Sequence, residues 1–323
     1  MEQTQAPKTS GPQDLSGVLV IDKTEGPTSH DVVKFARRVL GESRIGHTGT
    51  LDPMATGVLP LVVGRATRVA QFLTASDKSY HATVAFGRAT DTYDALGTVT
   101  HTSERRPGRA ELDAAITAFQ GTFAQTPPAY SAKNIDGERS YDLARKQKRK
   151  HASADAPAAA PQRPQAVSVH VNRLRVIAFD GETAQLEMQV SAGFYVRSLV
   201  HDLGEALGCG AVLTALRRTR SGEFSLDRSV PLAELLQASR ESLAGRIVPF
   251  RELLTELPSV TLRSAIQLER LKNGVEMGPA DLVAPLAALP PVVRLLGPDG
   301  DLVGLARPAK TPGNLHGWVV LLA

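Results

Sequence analysis

GHTGTLDPMATGVLPL, residues 46–61, is the stretch on which the reading of this chain turns. It sets one carboxylate, Asp52, directly before a proline, among Gly46, Gly49, Gly57, Thr48, Thr50 and Thr56. Glycine permits sharp turns and close approach of a ligand. The residue before a proline is confined to extended or turn geometry. The apolar run Val58 to Val63 then reads as a buried strand. A single aspartate is thereby presented on a tightly shaped loop anchored in core. Taken alone, the segment also fits a plain turn in which Asp52 accepts backbone hydrogen bonds.

Around it, 323 residues suffice for one large domain and a small one. Hydrophobic content of 42% and charged content of 22% are ordinary for a globular protein. No apolar run is long enough for a transmembrane helix. Residues 1–15 are polar and lack a signal-peptide pattern, so they read as a disordered lead-in. The single cysteine, Cys209, fits a reducing cytoplasm. Histidine and cysteine spacing indicates no metal site. Net charge is +4 and the pI is about 9.3, compatible with a nucleic-acid partner without demanding one. Arg145, Lys146, Lys148, Arg149 and Lys150 form a dense basic run. It fits a phosphate contact or simply a solvated face.

Residues 17–23, GVLVIDK, read as a buried strand. Thr28 and Ser29 can cap a helix whose apolar face is Val32, Phe35, Ala36, Val39 and Leu40, stopped by Gly41. A short helix through Val69, Phe72 and Leu73, a strand over 80–86 and a helix over 112–119 follow. Ala152 to Ala166 is rich in alanine and proline and reads as an exposed, mobile insertion. Two strands, 167–179 and 184–190, precede a helical stripe from Val196 to Leu207. This irregular alternation predicts an α+β domain with a mixed, largely antiparallel central sheet flanked by helices. Past residue 250, short strands at 292–296, 302–306 and 318–322, separated by the turns GPDG and TPGN, predict a small β-rich domain.

Residues 46–61 closely resemble the signature segment of the TruB family, the bacterial tRNA pseudouridine-55 synthases. VIDKTEGPTS (20–29) is similar to the family's first motif, with Thr24 where the family usually has proline. DKSYHATVAFGRATDTYDALG (77–97), SAGFYVRSLVHDLGEALG (191–208) and LTALRRTRSGEFSL (213–226) match further motifs in family order. FAQTPPAYSAKNIDGERSYDLARK (123–146) resembles the family's thumb, which closes over the tRNA stem-loop.

The resemblance implies a pseudouridine synthase fold over 16–249, with a thumb-like insertion at about 123–166 and a PUA-like RNA-binding domain over 250–323. It makes Asp52 the catalytic nucleophile, with Tyr80 and Arg197 as its catalytic companions. His47, Asp94, Tyr195 and Leu216 would serve substrate binding: His47 as the wedge that fills the gap left by a flipped base, Asp94 as the partner that orients Arg197, Tyr195 and Leu216 as walls of the base site. Lys23, Gly46 and Thr48 would support the loop. Several have plain structural alternatives. Tyr80 can be core packing, His47 a loop histidine bonded to backbone, Asp91 and Asp94 a polar turn, and Arg217, Arg218 and Arg220 surface charge.

Under this reading the chain isomerises uridine 55 in the tRNA T-loop, without cofactor or metal. It acts as a cytoplasmic monomer with no obligate protein partner. Two other readings stay open. The chain can be an RNA-binding or tRNA-folding helper with secondary or lost catalysis. It can also be a sister enzyme working inside a guide-RNA particle.

Overall fold

The computed structural model describes residues 15–131, 133–135, 137–141, 143, 146, 162–286 and 288–322. Most of the expected N-terminal lead, the core of the Ala/Pro-rich insertion and all of the basic run but Lys146 lie outside the described residues. Leu15, placed at the end of that lead, is buried against the core.

Among the described residues the strands run in chain order as β1 (Gly17–Lys23), β2 (Ile45–His47), β3 (Thr56–Val63), β4 (Lys78–Phe86), β5 (Arg88–Thr90), β6 (Val99–Thr102), β7 (Gly121–Gln125), β8 (Asn134–Ile135), β9 (Glu138–Arg139), β10 (Val167–Phe179), β11 (Thr183–Val190), β12 (Ala211–Ser221), β13 (Phe224–Ser225), β14 (Val230–Pro231), β15 (Ser259–Thr261), β16 (Val293–Leu296), β17 (Leu302–Pro308) and β18 (Leu315–Leu321). The large sheet has the order β14-β1-β3-β12-β4-β11-β10-β7, with β2 beside β3 and β13 beside β12. The β1–β14 and β3–β12 pairs are parallel, and the others are antiparallel. The mixed, largely antiparallel sheet expected from sequence is therefore present. The thumb-like segment begins inside this sheet, since β7 pairs with β10 through Gln125.

Both faces of β1 and β3 are covered, which is why their sequences are nearly continuous apolar runs. Leu19, Ile21, Leu59 and Leu61 face one core with the Ser29–Leu40 and Val196–Ala206 helices. Val18, Val20, Val58 and Val62 face a second core completed by Leu302, Leu305, Val320 and Leu322. The small sheet, β15-β16-β17-β18, thus contributes the back cover of the large one. Helix Ser29–Leu40 starts with a capping box between Thr28 and Asp31 and stops at Gly41, φ 61°.

One row across the large sheet positions the site. Lys23 is opposite Gly57, Gly57 opposite Arg218, Arg218 opposite Tyr80, and Tyr80 opposite Met188. Gly57 is required there. Its φ is +100°, and a Cβ would fall 2.1 Å from the Arg218 carbonyl oxygen. Gly46 has only an ordinary contact, 3.6 Å to Val62. Gly57→Ala should therefore cost about 2 kcal/mol or more in urea unfolding, and Gly46→Ala less than about 1 kcal/mol.

Lys23 is fully buried. Burial pushes its amine down to about 8 from the ordinary 10.5, against the pull of Asp52 and Glu25. Below about pH 8 the lysine is charged in both folded and unfolded chains, and the buried charge weighs against the fold. Between about 8 and 10.5 only the unfolded chain keeps the proton, so rising pH relieves that penalty. The difference in unfolding free energy between wild type and Lys23→Met should therefore shift in favour of wild type from pH 8 to 10.5. A difference that stays flat or moves the other way contradicts the assignment.

Candidate active site

The loop between β2 and β3 is held by its carbonyl groups. Arg218 Nη2 donates to the Gly49 carbonyl at 3.0 Å. Ser29 Oγ donates to the Leu51 carbonyl at 3.0 Å and accepts from the Leu51 N–H at 2.8 Å. The Pro53 carbonyl accepts from Gly26 N–H at 2.9 Å and from Lys23 Nζ at 3.2 Å. The Ala55 carbonyl accepts from Lys23 Nζ at 2.7 Å. Gly49, Leu51, Pro53 and Ala55 are alternate residues, so one edge of the loop is pinned while Asp52 stands between two anchor points. Its own carbonyl accepts from Ala55 N–H at 3.0 Å and closes the turn.

The Asp52 carboxylate, about a third exposed, meets Arg197 in a two-pronged ion pair: Nε to Oδ2 at 2.8 Å and Nη2 to Oδ1 at 3.1 Å. Arg197 lies in the first turn of the Val196–Ala206 helix and is almost fully buried. It also donates from Nη1 to the Thr92 carbonyl (3.1 Å) and from Nη2 to the Tyr130 carbonyl (3.0 Å). The buried carboxylate of Asp94 approaches Nε at 3.9 Å, while its Oδ1 accepts from Thr92 Oγ1 at 2.7 Å and Leu96 N–H at 3.1 Å. One guanidinium therefore faces an accessible carboxylate and an enclosed one.

Tyr195 is the N-cap residue of that helix. Gln125 clamps its backbone, accepting from the N–H at 2.8 Å and donating to the carbonyl at 3.0 Å. Burial pushes the Tyr195 phenol up, and the ring lies within the field of both Arg197 and Asp52. Tyr80 and Leu216 are buried in the same cluster as Leu51 and Met54, the residues flanking the Asp-Pro pair. His47, at the end of β2, accepts from Gly49 N–H at a long 3.4 Å. Burial, then Arg218 and His30, push its imidazole below the ordinary histidine range. Thr48 is buried, with no partner for its hydroxyl among the described residues. Gly46 sits in β2 opposite Val62. Among the described residues no cluster of His, Cys, Asp or Glu could hold a metal ion, and no helix is long and apolar enough to cross a membrane.

Three expectations need correction or extension. Arg218 is not surface charge: it is fully buried, and its Nε also donates to the Val58 carbonyl at 2.7 Å. Arg217 forms a two-pronged pair with Asp22 at 3.1 and 2.8 Å, leaving Arg220 as the exposed member. Strand alternation carried the signal, because Arg218 lies two residues from the apolar Leu216 on one face. The helix cap is Thr28 alone, and Ser29 instead braces the loop. Lys78, unremarked in sequence, is buried beside the loop. Its amine donates to the carbonyls of Thr74 and Ser76 and is pushed down to about 8 by burial, then by Arg218. Gln125 and the Thr92 and Tyr130 carbonyls also escaped notice, since a backbone acceptor leaves no mark in side-chain identity.

Residues 37–196 match the family model described as TruB family pseudouridylate synthase (N terminal domain). Residues 197–255 match that of the tRNA pseudouridylate synthase B C-terminal domain. The two meet at Arg197, and the second includes β12 to β14 of the large sheet. The chain is 44% identical over 311 residues to "tRNA pseudouridine synthase B" of Solibacter usitatus (strain Ellin6076), covering 95% of this chain and all of that one. A protein of the same name from Mycobacteroides abscessus is 38% identical over 316 residues, covering 93% and 99%. Among solved structures, an H/ACA RNP bound to a substrate RNA containing 2'-deoxyuridine matches with a TM-score of 0.71 at 24% identity, covering 96% of this chain and 86% of that one. An archaeal box H/ACA sRNP Nop10-Cbf5 complex matches with a TM-score of 0.64 at 26% identity, covering 91% and 79%. With the α+β pseudouridine synthase fold in place and family models spanning both sides of Arg197, the chain belongs to the TruB family and is a pseudouridine synthase, an isomerase.

Proposed function

We propose that the chain converts the uridine at position 55, in the T-loop of tRNA, to pseudouridine, and that it does so without a protein partner. The observation that carries the reading is the Asp52–Arg197 pair on a loop pinned at alternate carbonyls. The names of the relatives point to tRNA as the RNA class.

The reaction breaks the bond from ribose C1′ to uracil N1, turns the freed base, joins C1′ to C5, releases the C5 proton and takes up one proton at N1. Nothing is gained or lost overall. Asp52 supplies the carboxylate, attacking C6 of the base or C1′ of the sugar, or removing a ribose proton. Each route uses the same group in nearly the same place. Arg197 fixes where the two carboxylate oxygens lie, a constraint that a flexible ammonium would not impose. Tyr80 offers a flat wall and a proton acceptor. Tyr195 and Leu216 exclude water from the opened sugar. His47 replaces the stacking lost when the uridine is flipped out, a step that costs a few kcal/mol. Its tendency to stay neutral suits an apolar stacking role. Residues 16–249 are read as the catalytic unit, with the thumb-like insertion at about 123–166 gripping the stem-loop, and 250–323 as a PUA-like RNA-binding unit.

Asp52→Asn should lower turnover by about a thousandfold or more while leaving tRNA affinity within a few-fold. Release of tritium from C5-labelled uridine measures the first, filter binding the second. Normal turnover in this variant would remove Asp52 from the chemistry. Arg197→Lys keeps the charge but loses the two-pronged geometry, and should reduce kcat about a hundredfold.

Purified protein should modify an isolated T-arm hairpin at a single uridine. A requirement for added proteins or a guide RNA would rule out the stand-alone form, and modification elsewhere would rule out the position.

A further inference from the structure

We propose that Tyr93 and His201 are positioning residues for the Arg197–Asp52 pair: their stacked rings fix the bend that carries Thr92 and Asp94 onto the guanidinium. This rests on the reading that the pair performs the chemistry.

Arg197 and His201 are one turn apart on the same helix and share a face. Tyr93 lies between Thr92 and Asp94, both of which face Arg197. The helix and the bend therefore grip each other at two successive levels, guanidinium to carbonyl and carboxylate at one, ring to ring at the next. The rings lie 3.9 Å apart between centroids and 7° from parallel.

The bend is not one that a tyrosine adopts freely. Tyr93 has φ +66°, a left-handed conformation that non-glycine residues seldom take. Backbone contacts stitch it to β12. Leu213 N–H donates to the Tyr93 carbonyl at 3.1 Å, and Ala95 N–H to the Leu213 carbonyl at 2.9 Å. The His201 ring does not sit there for a hydrogen bond at Nδ1, which is buried without a partner among the described residues. Its contact with the Tyr93 ring is face to face. Burial pushes the imidazole below the ordinary histidine range, opposed by Glu205 and assisted by Arg163. Arg163 also lies over the Tyr93 ring at 5.9 Å. Removing either ring frees the bend to relax, and the Thr92 carbonyl and Asp94 carboxylate then lose their fixed positions beside Arg197.

The test compares full-length Tyr93→Gly, Tyr93→Phe, His201→Ala and the Tyr93→Gly/His201→Ala double variant in steady-state tritium release on a tRNA transcript. Melting temperatures are recorded alongside. Glycine accepts φ +66° without strain, so Tyr93→Gly removes the stack without imposing a new backbone clash, and the bend is left without the contact that fixes it. Tyr93→Gly and His201→Ala should each lower kcat about tenfold with KM within about twofold, as expected for a displaced reacting group. Tyr93→Phe should restore kcat to within about twofold of wild type. The double variant should match the singles, because one interaction is lost only once.

Wild-type kcat in Tyr93→Gly or His201→Ala overturns the proposal. So does a raised KM at constant kcat, or two losses that multiply. Should Tyr93→Gly fail to fold, His201→Ala and Tyr93→Phe decide by the same criteria. Asp52→Asn and Arg197→Lys run in parallel. If those two keep normal turnover, the underlying assignment falls. If they lose it while the ring variants do not, this inference alone falls.

Discussion

A buried guanidinium must have its donors occupied, and that requirement organises this molecule. Arg197 gives two donors to Asp52 and others to the backbone of Thr92 and Tyr130. Leaving any of them unpaired in the interior would cost more than the bond contributes when made. The three partner residues come from three separated stretches of chain, so satisfying one side chain brings those stretches together. Asp52 and Arg197 are 145 residues apart, and no local propensity can place them. Their meeting depends on β3, β12 and β4 closing into adjacent strands.

The loop that bears Asp52 shows a second use of backbone carbonyls. Lys23, Lys78 and Arg218 are all buried near it, and among the described residues the hydrogen bonds of their charged groups run to carbonyl oxygens and not to carboxylates. Carbonyl dipoles offset such charges without adding another carboxylate beside Asp52. A second carboxylate in direct contact would compete for the guanidinium and disfavour ionisation of both. Of the three glycines in 46–61, Gly57 is the one that close approach demands, since a Cβ there would fall 2.1 Å from the Arg218 carbonyl oxygen, whereas Gly46 and Gly49 meet only ordinary contacts.

Much of this was legible in the sequence. The strand over 17–23, the helix between Thr28 and Gly41, the strands over 167–179 and 184–190 and the three C-terminal strands fall within a few residues of expectation. These elements have strong local signals: continuous or alternating apolar residues, caps and turn glycines. Asp52, Arg197 and Asp94 were expected together on the strength of family motifs, and the geometry brings them together. Composition alone could not have paired them. For Arg218 surface charge is the plain alternative, since arginine is usually exposed, and its burial on the strand face it shares with Leu216 excludes that. Tyr93 left no warning, since a left-handed tyrosine and a stacking partner 108 positions further along (201 less 93) are consequences of tertiary packing.

The placement of Asp94 bears on how Asp52, in its proposed role, could react while paired. Under any of the proposed routes Asp52 changes its bonding or its charge, and for that interval it cannot neutralise Arg197 as before. A buried guanidinium stripped of its only carboxylate would be strongly unfavourable. Asp94, enclosed and held by Thr92 and Leu96, does not leave. At 3.9 Å from Nε it is close enough to compensate the charge and too far to replace the bond that Asp52 gives up. The more exposed carboxylate is therefore the one substrate can reach, while the enclosed one, with the Thr92 and Tyr130 carbonyls, stays beside the cation. Reversing their exposures would put the reactive group out of reach and the fixed one in solvent, so the difference in burial between these two aspartates is what separates their roles.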